Sequence, residues 1–115
     1  MSVTIYHNPR CSKSRQTLAL LEEQGIQPTV ILYLDSPPDA STLKTLLNQL
    51  NLQPRELLRK GEADYKENHL DNTSLSDPVL IDMMVKYPKL IERPIVISNQ
   101  KARIGRPPES VLEII

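Results

Sequence analysis

The sequence is poor in residues on which several protein classes depend. It has one cysteine, no tryptophan, no phenylalanine and three glycines in 115 residues. One cysteine cannot form an internal disulfide, whereas small secreted scaffolds usually depend on several, so we expect a reducing, cytoplasmic compartment. No window approaches the roughly 18 to 20 unbroken apolar residues of a membrane span, and the opening MSVTIYHNPR has too short an apolar run for a signal peptide. We therefore expect neither export by that route nor a membrane partner.

Charge of either sign is not in excess. Lys plus Arg and Asp plus Glu both number 14, and the four aromatic residues are all tyrosines. The charges balance, and few aromatic side chains are available to stack on nucleic-acid bases, so we expect no nucleic-acid partner. One cysteine and two separated histidines also lack the spacing of a zinc site, so we expect no metal and no bound cofactor.

The first third of the chain predicts a βαβ unit. A short β-branched run indicates a strand over 3–6, and a helix should follow over 12–24, with inward-facing residues Leu18, Ala19, Leu20 and Leu21. The apolar run over 29–34 predicts a second, largely buried strand. Two strands joined through a helix are parallel, so the sheet begins parallel.

The remaining two thirds predict helices followed by a hairpin. After Pro37-Pro38-Asp39, four leucines at i, i+3, i+4 and i+7 favour a helix with a buried stripe, formed by Leu43, Leu46, Leu47 and Leu50. We expect a helical turn over 54–58, a loop over 62–74, and a helix that begins after Ser76 and ends at Tyr87-Pro88. Two strands over 95–97 and 102–104 should meet through Asn99-Gln100, and a last helix should open at Pro107-Pro108.

Cys11 lies where the first strand passes into the first helix. The opening amides of a helix have no partner inside it, and with the positive end of the helix they favour an anion. Cysteines at such positions and near cations are thiolates at neutral pH, and Arg10, Lys13 and Arg15 lie close in sequence. We therefore predict a reactive thiolate at Cys11, with an inert, buried cysteine as the alternative.

The same donors suit a tetrahedral oxyanion, to which Ser12 and Ser14 add hydroxyls. Residues 11–14 have the spacing of a thioredoxin-like Cys-x-x-Cys motif in which the second sulfur is replaced by oxygen. An adduct on Cys11 therefore has no resolving cysteine within the chain. An external thiol must complete any redox cycle.

The segment His7-Asn8-Pro9-Arg10-Cys11-Ser12-Lys13-Ser14-Arg15 resembles the active-site segment of the glutaredoxin-linked arsenate reductase family. The likeness continues in order along the chain, through Tyr33-Leu34, Pro37-Pro38, Leu57-Leu58-Arg59-Lys60, Leu80-Ile81-Asp82, Glu92-Arg93-Pro94-Ile95-Val96 and Gly105-Arg106-Pro107. It implies one thioredoxin-like domain over 1–115, with a mixed four-stranded sheet and a helical insertion over about 37–93.

The resemblance also implies an oxidoreductase of arsenic detoxification. Its Cys11 thiolate would attack arsenate, glutathione as co-substrate would attack the adduct, and glutaredoxin would help to release arsenite. Three arginines, Arg59, Arg93 and Arg106, would hold the oxyanion, while His7 would support the thiolate and Pro94 would be the cis-proline beside it. Guanidinium groups suit this task because they stay charged and bind oxyanions with two donors.

Other interpretations stay open. Ser12-Lys13 stand where family members tend to have Gly-Thr, and the added charge suits another oxyanion or a glutathione carboxylate. A monothiol glutathione-dependent oxidoreductase is one alternative function, and a noncatalytic regulator that binds RNA polymerase is another. The arginines also have structural alternatives: a solvated helix end for Arg59, an ion pair with Glu92 or Asp82 for Arg93, and a surface charge for Arg106.

Overall fold

The computed structural model describes residues 2–115. Its strands are β1 (Val3–His7), β2 (Thr29–Leu32), β3 (Ile95–Ser98) and β4 (Lys101–Ile104). Its α-helices are α1 (Ser12–Glu23), α2 (Ala40–Leu50), α3 (Pro54–Leu57), α4 (Ala63–Glu67) and α5 (Asp77–Lys86). Two 3-10 helices span Pro88–Leu90 and Pro108–Ile114. None of the helices in this range combines the length and the apolar character needed to cross a bilayer.

The four strands form one mixed sheet in the order β2-β1-β3-β4. β1 pairs with β2 in parallel and with β3 antiparallel, and β3 pairs antiparallel with β4. This arrangement confirms the predicted fold class, a mixed α/β fold of thioredoxin-like type with added helices. The β3–β4 hairpin turns at Asn99 and Gln100, whose φ values of 56° and 63° fit the left-handed turn that matches strand twist.

The backbone contacts divide the chain into two compact units. The first, which we call the sheet unit, contains residues 2–36 and Arg93–Ile115, and the second, the helical unit, is Pro37–Glu92. Alternate side chains of β1 and one side of α1 build the core of the sheet unit, whose buried members are Val3, Ile5, Leu21, Val96, Val111 and Ile114. The prediction of an inward-facing Ala19 was wrong: Ala19 is exposed, because Leu18 and Leu21 define the buried side of the helix.

The prediction of a largely buried second strand was also wrong. β2 ends at Leu32, and Val30 and Leu32 are 44% and 41% exposed. β2 lies at the edge of the sheet, where it has one neighbouring strand. A continuous apolar run is typical of central parallel strands, but here it belongs to an edge strand, so the run alone did not fix the position of β2 in the sheet.

The helical unit contains the elements predicted from its leucines. All four leucines of the α2 stripe are buried, and the Asp39 side chain caps the helix by accepting a hydrogen bond from the Thr42 amide at 2.8 Å. That bond lowers the pKa of Asp39. The expected loop over 62–74 contains the short helix α4, which the polar composition concealed. Ser76 is the N-cap of α5, although its side chain makes no capping bond. An insertion into a single domain stays a prediction.

The C-terminal segment forms a 3-10 helix in place of the expected α-helix. Its buried residues are Pro108, Val111 and Ile114, which recur every three positions. Three residues per turn is the period of a 3-10 helix, so the tighter winding turns all three side chains inward. The other apolar residues of this segment, Leu112 and Ile115, are each 38% exposed.

Candidate active site around the single cysteine

Cys11 is the N-cap residue of α1, as predicted, at the end of a tight turn. The Cys11 amide donates to the Asn8 carbonyl at 3.0 Å, and the Arg10 amide donates to the Asn8 side-chain oxygen at 3.0 Å. Asparagine favours such turns because its side chain accepts a hydrogen bond from an amide two residues ahead. The Cys11 carbonyl accepts the first helical bond, from the Arg15 amide at 3.0 Å. The turn therefore places Cys11 at the N-terminus of α1, where the opening amides have no partner inside the helix, although the Cys11 side chain makes no capping hydrogen bond.

The sulfur has a cationic partner from the other end of the sequence. Arg106 Nη2 donates to Cys11 Sγ at 3.5 Å, and Arg106 Nε donates to the Arg93 carbonyl at 2.8 Å. These two hydrogen bonds fix the orientation of the planar Arg106 guanidinium, with Nη2 directed at the sulfur. Cys11 is buried, with 8% of its surface exposed, and its sulfur has a charged neighbour in Arg106.

The β3–β4 hairpin explains why Arg93 and Arg106 are neighbours. Ile95 pairs with Ile104, and the ladder continues because the Gly105 amide donates to the Pro94 carbonyl at 2.9 Å. The next step of the hairpin brings Arg93 opposite Arg106. The Arg93-Pro94 peptide bond is cis, and so is the Arg106-Pro107 bond. The Nε and Nη1 atoms of Arg93 are buried.

His7 and Ser14 connect the end of β1 to the first turn of α1. His7 Nδ1 lies 2.6 Å from Ser14 Oγ, which also accepts from the Asn8 amide at 3.0 Å. Burial, and secondly the positive charge of Arg15, lower the pKa of His7 below its ordinary value of 6.5. At neutral pH the imidazole is therefore uncharged. Ser14 is fully buried, and its hydroxyl holds His7 and the turn, a different task from the oxyanion contact expected from its spacing.

Gly105 permits the close approach of three segments of the sheet unit. A Cβ at this position would lie 2.5 Å from Thr17 Oγ1 and 2.8 Å from Pro94 Cγ. Thr17 is fully buried, and its hydroxyl donates to the Lys13 carbonyl at 2.8 Å. No role for Thr17 or Gly105 was predicted from the sequence. A glycine that directly follows a strand, next to a predicted site residue, was the available signal.

The remaining predicted residues lie on the surface of their units. Ser12 and Lys13 are exposed in the first turn of α1. Arg59 belongs to the helical unit, where its Nη1 lies 2.7 Å from Glu62 Oε1 and its Nε 3.5 Å from Glu92 Oε1. Arg59 is thus held by two carboxylates, which neither the resemblance nor the helix-end alternative anticipated.

The sheet unit has a cavity of about 300 Å³, which is lined in part by the four residues that precede Cys11 in the sequence. Its lining residues are His7, Asn8, Pro9, Arg10, Leu32, Leu34 and Asp35. We call it the Arg10/Asp35 cavity. Within residues 2–115 no three His, Cys, Asp or Glu side chains are grouped so that they could hold a metal ion.

Comparison with known proteins places these features in context. Residues 6–114 match the profile of the ArsC family. The Escherichia coli K-12 protein named Uncharacterized protein YfgD is 60% identical over 98% of this chain and 96% of its own length. An arsenate reductase of Haemophilus influenzae is 50% identical, with 100% of both chains covered. The solved structure of an arsenate reductase from Vibrio cholerae has a TM-score of 0.98 and 58% identity, and covers 100% of this chain and 98% of that one.

Proposed function

The chain belongs to the ArsC family, and we propose that it reduces arsenate to arsenite at Cys11. The observation that carries the proposal is the 3.5 Å contact between the Arg106 guanidinium and the only sulfur nucleophile of the chain. The names of the relatives in Haemophilus influenzae and Vibrio cholerae support the substrate.

In the first step the Cys11 thiolate attacks the arsenic of arsenate. An As–S bond replaces one As–O bond, and the oxygen leaves as water after it takes up protons. The thiolate is the reactive form of cysteine, and the guanidinium of Arg106 favours its negative charge. The opening amides of α1 also favour a negative charge on Cys11, because this residue caps the positive N-terminal end of the helix. His7 is uncharged at neutral pH, so its part is to hold Ser14 and the turn in place.

The oxyanion itself needs several donors. We assign this task to Arg93 and Arg106, together with the first-turn residues Ser12 and Lys13. A part for Arg59, which belongs to the helical unit, stays a prediction from the resemblance. Guanidinium groups remain charged at every working pH and can donate two parallel hydrogen bonds to one oxyanion. For Arg59 to take part, the oxyanion must replace at least one of its present carboxylate partners, Glu62 or Glu92.

The electrons must come from outside the chain. Reduction of arsenic from the +5 to the +3 state takes two electrons, and Cys11 is the only cysteine. Two external thiols therefore end as one disulfide: one arsenate and two thiols yield one arsenite, one disulfide and one water. We propose glutathione as the thiol, with glutaredoxin to assist the release of arsenite from Cys11.

The test is arsenate-dependent NADPH consumption in the presence of glutathione, glutaredoxin and glutathione reductase. We expect turnover with wild type and only the background rate with Cys11→Ser. Equal rates for the two proteins would contradict the proposal that the chain reduces arsenate at Cys11. Replacing glutaredoxin by thioredoxin and thioredoxin reductase identifies the electron donor separately, because the chemistry at Cys11 is the same with either donor.

A further inference from the structure

The Arg10/Asp35 cavity lies at a favoured location for ligands. β1 and β2 run in parallel, and His7 pairs with Leu32 at the end of the ladder. Both strands then pass into turns, and these turns line the cavity. Ligands of α/β proteins commonly bind outside the carboxyl ends of parallel strands, because the chain leaves a crevice there. The cavity therefore results from the strand pairing, and one of its lining residues, Arg10, directly precedes Cys11 in the sequence.

The cavity carries one charge of each sign. Arg10 and Asp35 both have exposed side chains, and within residues 2–115 neither side chain has a hydrogen bond or an ion pair. Their backbone is fixed, since the Arg10 amide donates to Asn8 Oδ1 and the Asp35 amide donates to the Leu32 carbonyl, each at 3.0 Å. Both residues thus line the cavity from a fixed backbone, and their charged groups are available to a ligand.

A ligand with both charges fits this pair better than a simple anion. An inorganic oxyanion would gain from Arg10 and be repelled by Asp35. An α-amino acid group would place its carboxylate on Arg10 and its ammonium on Asp35. Leu32, 41% exposed, offers apolar surface for methylene groups between them. The volume of about 300 Å³ is at the lower limit of ordinary ligand pockets, which suits part of a small molecule.

We propose that the Arg10/Asp35 cavity binds the α-amino acid end of the resolving thiol, a small zwitterionic thiol of the glutathione type. The inference rests on the proposed function, which requires an external thiol beside Cys11. Arg10 directly precedes Cys11, so a thiol anchored there has its sulfur near the adduct. Holding two reactants together in this way removes much of the entropic cost of their encounter. Cys11 and the arginines then bind the oxyanion, and the cavity binds the reductant.

The direct test measures binding of S-methylglutathione, which cannot react, to the full chain by isothermal titration calorimetry. We expect Asp35→Asn and Arg10→Gln each to weaken binding by about tenfold, because each removes a charged hydrogen-bond partner. The matched controls Asp71→Asn and Lys101→Gln change exposed charges elsewhere and should bind as wild type does. N-acetylation of the probe removes its ammonium, and should weaken binding to wild type but not to Asp35→Asn.

A wild-type protein that does not bind the probe, or variants that bind it as wild type does, would overturn the inference. Steady-state kinetics separate this inference from the proposed function. We expect Asp35→Asn to raise the KM for glutathione by about tenfold and to leave the KM for arsenate unchanged. A rise in the arsenate KM alone would assign the cavity to the oxyanion and contradict the inference. If arsenate is not reduced although Asp35 governs probe binding, the proposed function fails while the binding site stands.

Discussion

Arg106 and Cys11 are 95 positions apart in the sequence and meet at 3.5 Å through Nη2 and Sγ. The contact exists because two structural features converge. The hairpin of β3 and β4 brings Arg106 beside Arg93, and the antiparallel pairing of β1 with β3 puts the start of β3 beside the end of β1, shortly before Cys11. The Arg93 carbonyl then orients the guanidinium. The tertiary fold thus brings a guanidinium to the single cysteine of the chain.

Arg106→Ala should lower the turnover of arsenate by about tenfold or more, since it removes a charge-assisted hydrogen bond from the nucleophile. The matched control is Arg103→Ala on β4, the strand that precedes Arg106; its guanidinium pairs with Glu113 at 3.6 Å. NADPH consumption by both variants is the measurement. A loss of turnover that is equal in the two variants would contradict the role of Arg106.

Gly105→Ala should destabilise the protein by about 1–3 kcal/mol, because the new methyl group overpacks against Thr17 and Pro94. It should also lower turnover, since Arg106 is the next residue. Urea unfolding measures the stability, with Gly61→Ala as the control because no atom lies within 4 Å of a Cβ at that position. Adding Thr17→Ala to Gly105→Ala should recover part of the stability. A Gly105→Ala protein as stable as Gly61→Ala would show that the close approach is absent.

The uncharged state of His7 predicts a loss of stability in acid. Its pKa is below 6.5 in the folded protein, so the unfolded chain binds a proton at higher pH than the folded one. Stability from this group is therefore complete above about pH 7, falls as the pH drops through 6.5, and levels off below the folded-state pKa. Urea unfolding between about pH 8 and pH 5 measures the effect.

His7→Asn should remove this part of the pH dependence, because asparagine keeps a polar atom near Ser14 and does not titrate. His69→Asn is the control: His69 is exposed and has a φ of 53°, which asparagine readily adopts. It should keep the wild-type profile. If His7→Asn loses stability in acid as steeply as wild type, the assignment of the effect to His7 is wrong.

Glu62→Gln should lower the KM for arsenate by about threefold, because a carboxylate no longer competes with the oxyanion for Arg59. Both side chains are partly exposed, so the lost ion pair should change stability by less than about 1 kcal/mol. Glu67→Gln, an exposed change in the nearby helix α4, is the matched control. An arsenate KM that is the same in both variants would remove Arg59 from the oxyanion site.

Local patterns were enough to predict most of the strands and helices. The leucine stripe of α2 and the turn at Asn99-Gln100 depend on neighbours in sequence, and both formed as expected. The position of Cys11 at the start of α1 has the same origin. The exposure of β2 was not predictable, because it depends on which strand occupies the edge of the sheet.

The candidate site was predictable in its residues and not in its contacts. Spacing drew attention to Ser14, but the fold uses that hydroxyl to hold His7 and the Asn8 amide. The Glu92 carboxylate on Arg59 and the packing of Gly105 against Thr17 also required tertiary structure. These contacts join segments that are distant in sequence, and local patterns do not specify which distant segments meet.

The rate of alkylation of Cys11 by iodoacetamide at about pH 6.5 tests the central claim, since an ordinary cysteine is almost entirely in its unreactive thiol form there. The chain has one cysteine, so intact mass counts the modified site without ambiguity. We expect native wild type to react faster than both the urea-unfolded chain and native Arg106→Ala. A native protein that reacts no faster than its unfolded chain would contradict the claim that the fold activates this sulfur.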